Sequence, residues 1–133
     1  MPEFEVDREQ IYVFEVDDTY LFKHYFERND IFSELSDYYV RGEYRFEVPN
    51  EEFSNVAKFL EDNYYELNIV ENLSEFCVVK EEYKEHAEIL RNAVHKWNRD
   101  GYNFFLMKDP TTVDQAIEEG ATRLEDTNMV LGI

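Results

Sequence analysis

Two stretches of this chain are apolar on both faces that a β-strand presents. In Phe76-Cys77-Val78-Val79 and Phe104-Phe105-Leu106-Met107 every position is hydrophobic. Successive side chains of a strand point to opposite sides, so both sides of these stretches must leave water. The chain therefore needs a sheet with a layer packed on either face.

The clearest local pattern precedes them. Glu43 to Val48 alternates charged and apolar residues, which puts Tyr44, Phe46 and Val48 on one face of a strand. Arg41-Gly42 is a turn signal before it; Pro49 ends it and Asn50 is a helix N-cap. Phe53, Val56, Ala57, Leu60 and Tyr64 then recur at helical spacing. Leu67, Ile69 and Val70 make a second strand, Asn72-Leu73-Ser74 reads as a turn, and residues 76–79 make the third. Tyr83, Ala87, Leu90, Val94 and Trp97 share a helical face and predict a long helix ending at Gly101. Its acids Glu81, Glu82, Glu85 and Glu88 precede its bases Arg91, His95, Lys96 and Arg99, the order that the helix dipole favours. Tyr102 to Met107 is the fourth strand.

Strand-helix-strand twice over predicts an α+β fold, a ferredoxin-like split βαββαβ sandwich over residues 43–107. One domain is expected over residues 1–133, since no composition break divides the chain. Residues 1–42 form an N-terminal extension: a loose arm over 1–10, a strand from Ile11 to Val16, and N-caps at Asp17, Asp18 and Thr19. Two aromatic-rich helices follow, Tyr20–Arg28 and Ile31–Tyr39. These helices, or a second subunit, are expected to cover the open face of the sheet. In residues 108–133, Asp109 caps a short helix opened by Pro110 and stopped at Gly120, and the tail adds an edge strand.

This order of elements resembles the small ligand-sensing domains of the ACT type. Val48-Pro49-Asn50-Glu51 occupies the place of their ligand-binding turn, here without glycine. The resemblance implies a regulatory domain that binds a small ligand.

Charge carries the other functional signal. The 133 residues hold 31 acids against 13 Lys and Arg, a formal net charge of −18. Disordered acidic chains are poor in aromatics, and 17% aromatic content excludes that class. Of the charges, 13 acids and 5 bases precede Pro49 and 18 and 8 follow, so the excess is spread through the body. Such a surface repels phosphate backbones and anionic membranes and attracts basic proteins. On the βαββαβ path, Glu61, Asp62, Glu66, Glu81, Glu82 and Glu85 fall at one pole and form the predicted partner-binding patch. The leading expectation is a non-catalytic acidic interaction module, monomer or homodimer, for a basic protein partner such as a nucleic-acid-binding protein. It would act as a regulator or as a nucleic-acid-mimicking inhibitor. The alternatives are the ligand-sensing domain and a general salt-adapted protein.

Residues able to do chemistry are few. Cys77, the single cysteine, sits mid-strand as a small hydrophobe. His86 follows Glu82 by four residues, but two ligands make no metal site. His95 lies between Arg91 and Arg99, a poor setting for a ligand, and His24 has no evident partner. Arg91, Lys96 and Arg99 form the one basic stretch, which dipole complementarity explains. There is no Gly-rich phosphate loop, nucleophile elbow or His-Glu zinc motif. Catalytic residues, metals and cofactors are therefore not expected. Met1 to Asp7 lacks the features of a signal peptide, which predicts a cytoplasmic protein.

Overall fold

The computed structural model describes residues 8–130 and shows an α+β fold with two sheets and four helices. The first sheet contains β1 (Glu9–Val16), β2 (Thr19–Phe22), β3 (Tyr39–Val40), β4 (Arg45–Pro49) and β5 (Tyr65–Val70), in the order β3-β4-β2-β1-β5. Its neighbours are antiparallel except β1 and β5, which run parallel, with Ile11 opposite Leu67 and Phe14 opposite Val70. The second sheet is antiparallel throughout, in the order β7-β8-β6-β9: β6 is Cys77–Glu81, β7 Ala93–Arg99, β8 Tyr102–Met107 and β9 Thr122–Arg123. The helices are α1 (Asn29–Leu35), α2 (Phe53–Asp62), α3 (Ala87–Arg91) and α4 (Pro110–Glu118).

Strand alternation sorts the side chains into four layers. Ile11, Val13, Phe22, Phe46 and Val48 point to one side of the first sheet, where α1 supplies Ile31 and Leu35 and α2 supplies Phe53, Val56 and Leu60. Phe14 and Leu21 point to the other side and meet Cys77, Val79, Phe104 and Leu106 of the second sheet. The far face of that sheet presents Val78, Phe105 and Met107 to Ile89 of α3 and to Val113 and Ala116 of α4. The order is thus helices, sheet, sheet, helices. The two strands apolar on both faces, β6 and β8, lie where their composition requires, with a layer on each side.

The ferredoxin-like arrangement predicted for residues 43–107 does not form. β4, α2 and β5 do make a strand-helix-strand unit, but β2 and β1 lie between its two strands, and β6 and β8 belong to the other sheet. The long helix is absent as well. Only Ala87–Arg91 is helical; Tyr83 is 80% and Leu90 42% exposed, and residues 93–99 are a strand. The reason lies in Asp100-Gly101, whose φ angles of 54° and 82° make a two-residue hairpin turn joining β7 to β8. Asp17-Asp18, with φ of 50° and 62°, does the same between β1 and β2 in place of the predicted helix caps. Cover for the second sheet accordingly comes from strands β1 and β2, and from α3 and α4, not from aromatic helices spanning residues 20–39.

Other expectations match. Phe53, Val56 and Leu60 form the buried stripe of α2, while Tyr64 lies past its end and is 58% exposed. Asp109 caps α4 by accepting from the Thr112 N–H at 2.7 Å, Gly120 follows with φ 99°, and β9 is an edge strand. Asn72 caps a tight turn, accepting from the Ser74 N–H at 3.3 Å. The predicted arm falls mostly on residues 1–7, outside the described residues, and of its remainder Glu9 and Gln10 belong to β1. No helix among the described residues is long and apolar enough to cross a membrane.

Candidate functional site

A cleft of about 770 Å³ opens where the margins of the two sheets meet, and its walls carry the charge opposite to that of the rest of the chain. From the first sheet it takes Lys23, His24 and Tyr25, just past β2, and Gly42, Glu43 and Tyr44 in the turn from β3 to β4. From the second it takes Leu90 and Arg91 of α3, Val94, His95 and Lys96 of β7, and Lys108 after β8. Phe46 and Tyr39 contribute apolar wall. Four Lys or Arg line it against one acid, Glu43, in a chain where acids outnumber bases 31 to 13.

Local structure explains how these groups converge. β4 points Phe46 and Val48 to the helical layer, so Arg45 and Glu47 face the second sheet. The Arg45 guanidinium, 9% exposed, donates to the Val94 carbonyl at 2.9 Å, lies 3.0 Å from His95 Nδ1 and pairs with Glu47 at 3.1 Å. The register shift between Ala93 and His95 lies beside that carbonyl. Lys23 reaches across the gap and donates to the Arg91 carbonyl at 2.9 Å, the last residue of α3. Arg45 thus ties the first sheet to the second, and Lys23, on the cleft wall, ties it to α3.

The cations press on one another. Lys23 has its pKa lowered by burial first, then by the charges of Lys108 and Arg45. His95 is lowered by burial and by Arg45, with Glu43, Glu47 and Asp17 acting in the opposite sense. His24 is also lowered, chiefly by burial; Lys108 adds to this, while its hydrogen bond to the Glu9 carboxylate at 3.2 Å opposes it. Both imidazoles therefore favour the neutral form. Neither Lys23 nor Lys108 forms an ion pair among the described residues, whereas Arg91 pairs with Glu88 at 3.3 Å. Two ammonium groups held near a buried guanidinium without carboxylate partners make an anion-binding arrangement.

The acidic patch read from the sequence is divided between the sheets. Glu61 and Asp62 end α2 and Glu66 is on β5; Asp62 takes Lys58 at 3.0 Å and Glu66 takes the Gln10 amide at 2.7 Å. Glu81 ends β6, and Glu82 and Glu85 follow it, the Glu85 carbonyl accepting from Lys80 at 2.6 Å. Among the described residues no hydrogen bond or ion pair links one trio to the other, and the βαββαβ path that joined them at one pole is not present. Both groups are solvent-facing, with only Glu81 half-buried.

The remaining candidates have structural places. Cys77 is buried, and burial pushes its thiol pKa up to about 12, so it carries no thiolate near neutrality. His86 packs its ring 5.5 Å from Phe105, and its Nδ1 lies 2.9 Å from the Lys84 carbonyl. His24, which has no evident partner in the sequence, has Glu9. Among the described residues no group of three or more His, Cys, Asp or Glu is placed to hold a metal ion. Arg91 and Lys96, which sequence reasoning assigned to a helix dipole, are cleft residues in a chain segment that is mostly strand. Comparison with protein-family models, characterised proteins and solved structures gave no match for this chain.

Proposed function

We propose that this protein is a non-catalytic binding module that takes a small anionic molecule in the cleft between its sheets. The observation that carries this reading is the reversal of charge: four bases to one acid in the cleft against 13 to 31 in the whole chain. The net field of the molecule repels anions, so an anion must be held by short-range contacts, and the cleft provides them. Its volume lies within the roughly 300–1,000 Å³ usual for small-molecule sites. Crowding cations that lower one another's affinity for protons is locally unfavourable, and a bound anion relieves it. Binding without chemistry fits the inaccessible Cys77 thiol, and the Lys23 ammonium, one of whose donors goes to the Arg91 carbonyl, has others to offer an anion.

The test is thermal stabilisation by a panel of phosphorylated and carboxylated metabolites, read for the native chain and for Lys23→Gln/Lys108→Gln. A ligand at a hundredfold excess over its Kd adds about 2.7 kcal/mol of stability. Stabilisation of the native chain alone is expected; a silent panel, or equal stabilisation of the variant, overturns the reading.

The exposed acids support a second, separate role, the docking of a basic protein through Glu61, Asp62 and Glu66 or through Glu81, Glu82 and Glu85. Such binding weakens steeply with salt and, for a nucleic-acid mimic, competes with nucleic acid. A complex indifferent to salt would remove this role and leave the cleft untouched.

A further inference from the structure

We infer that the anion bound in this cleft is carried on a planar ring, an aromatic phosphate or carboxylate, and that Tyr44 and Tyr25 are placed to hold that ring. This rests on the cleft being an anion site, and it adds the chemistry of the rest of the ligand.

Tyr44 is the main observation. It closes the turn between β3 and β4 with φ at 53°, a left-handed conformation that bulky side chains seldom adopt. The same turn contains a glycine, Gly42, but its φ is not positive, and a Cβ there would meet nothing within 4 Å. The residue suited to left-handed backbone is thus next but one to the position that needs it, and a tyrosine occupies that position instead. Tyr44 is 65% exposed and lines the cleft. Strain kept for a side chain that adds nothing to the core points to use by a ligand.

Tyr64 is also left-handed, at φ 71°, but it terminates α2 and has the Arg8 guanidinium 5.7 Å from its ring centroid. Tyr39, also on the cleft wall, packs edge-on to Phe32 and Phe46 at 5.4 and 5.0 Å. Tyr44 has no such neighbour among the described aromatic pairs, and neither has Tyr25, which is 83% exposed on the same cleft and follows directly on Lys23 and His24. Two unengaged aromatic faces on the same cleft as two ammonium groups that have no carboxylate partner among the described residues, Lys23 and Lys108, match a molecule with a flat apolar part and an oxyanion. An aromatic ring gains over a saturated one of equal size only by such face or edge contacts.

The experiment titrates the full chain calorimetrically with phenyl phosphate against cyclohexyl phosphate, and with benzoate against cyclohexanecarboxylate. Charge and size are matched within each pair. The flat ring is expected to bind about 3- to 10-fold more tightly in at least one pair. Tyr44→Gly should erase that preference while its thermal midpoint stays level or rises, because glycine accepts positive φ without strain. Tyr25→Ala, at an exposed position, reads the second ring independently of any effect on the turn. Equal binding of flat and saturated rings in both pairs, or a preference that survives both tyrosine variants, overturns the ring assignment and leaves the anion site standing. Absence of binding by all four probes, or undiminished binding to Lys23→Gln/Lys108→Gln, overturns the anion site and this inference with it.

Discussion

The space between the two sheets is filled in two ways. In the middle, where β1 and β2 face β6 and β8, Phe14, Leu21, Cys77, Val79, Phe104 and Leu106 close the gap, none more than 4% exposed. At the margin, where β4 faces β7, the same gap is spanned by Arg45 and Lys23, whose donors reach main-chain carbonyls of Val94 and Arg91. Water leaves the first region because every group there is apolar; in the second it reaches the cleft that Lys23 lines, while Arg45 is buried against its carbonyl and carboxylate partners. Burial of apolar area dominates folding, so the middle should hold the sandwich together while the margin is free to be selected for what it binds.

The strongest way to break this contrast is Phe104→Ala. Phe104 is 1% exposed, stacks on Trp97 at 5.3 Å and faces Phe14 and Leu21 across the gap. Its truncation should cost about 3–5 kcal/mol in urea unfolding, as loss of a buried phenyl ring usually does. Arg45→Met tests the margin and should cost less, about 1–3 kcal/mol, mainly because the Val94 carbonyl loses its donor. The penalty is limited because the released carboxylates are not trapped: the Glu47 side chain is 31% and that of Glu43 61% exposed, so water can take over. Were Arg45→Met the more damaging of the two, the margin would be a structural clamp and the cleft its by-product.

The same two regions differ in how far the sequence discloses them. The middle is legible. Unbroken apolar runs at 76–79 and 104–107 require cover on both faces, and they have it. The helix stripe from Phe53 to Leu60 and the Asp109-Pro110 start of α4 are equally plain, because period and cap point the same way. The margin is not. Asp100-Gly101 suits a helix terminator as well as a two-residue hairpin, and Asp17-Asp18 suits helix caps as well as a turn. In the segment from Val94 to Asn98 the apolar residues, Val94 and Trp97, are three apart, a helical spacing, and only the register shift between Ala93 and His95 lets a strand turn both to the same core. With the hairpin at 100–101 read as a helix end, Arg91 and Lys96 become dipole partners, and their convergence with Lys23 and Lys108 from other elements stays hidden. A cleft made by four separate segments leaves no local signature. The hairpin dipeptide Asp-Gly, weighed against the apolar strand that follows it, was the signal able to reveal β7.

The smallest expected effect separates the regions by proton binding. Burial, then the charge of Arg45, holds the His95 pKa below the usual value of about 6.5, and burial does the same to His24 against the pull of Glu9. From the elements around them, Glu43, Glu47 and Asp17 act on His95, and Lys108 and Asp109 on His24. Both histidines are thus neutral in the folded chain over an interval where the unfolded chain has begun to bind protons. Stability must then rise with pH across that interval and fall away as pH drops below about 6.5. Asp30 is shifted in the same direction, its carboxyl held down by the hydrogen bond from Arg28, so its contribution carries the same sign but is lost only at the more acid carboxylate range. In the sealed middle the one titratable thiol, Cys77, is pushed to about 12 and stays protonated throughout. His24→Gln/His95→Gln should therefore flatten the slope of stability against pH just below about 6.5, whereas Phe104→Ala should lower the whole curve in parallel. If the double histidine variant keeps the full slope in chemical denaturation at several pH values, the protons are taken up elsewhere, and the cleft is not where this molecule's mildly acid titration resides.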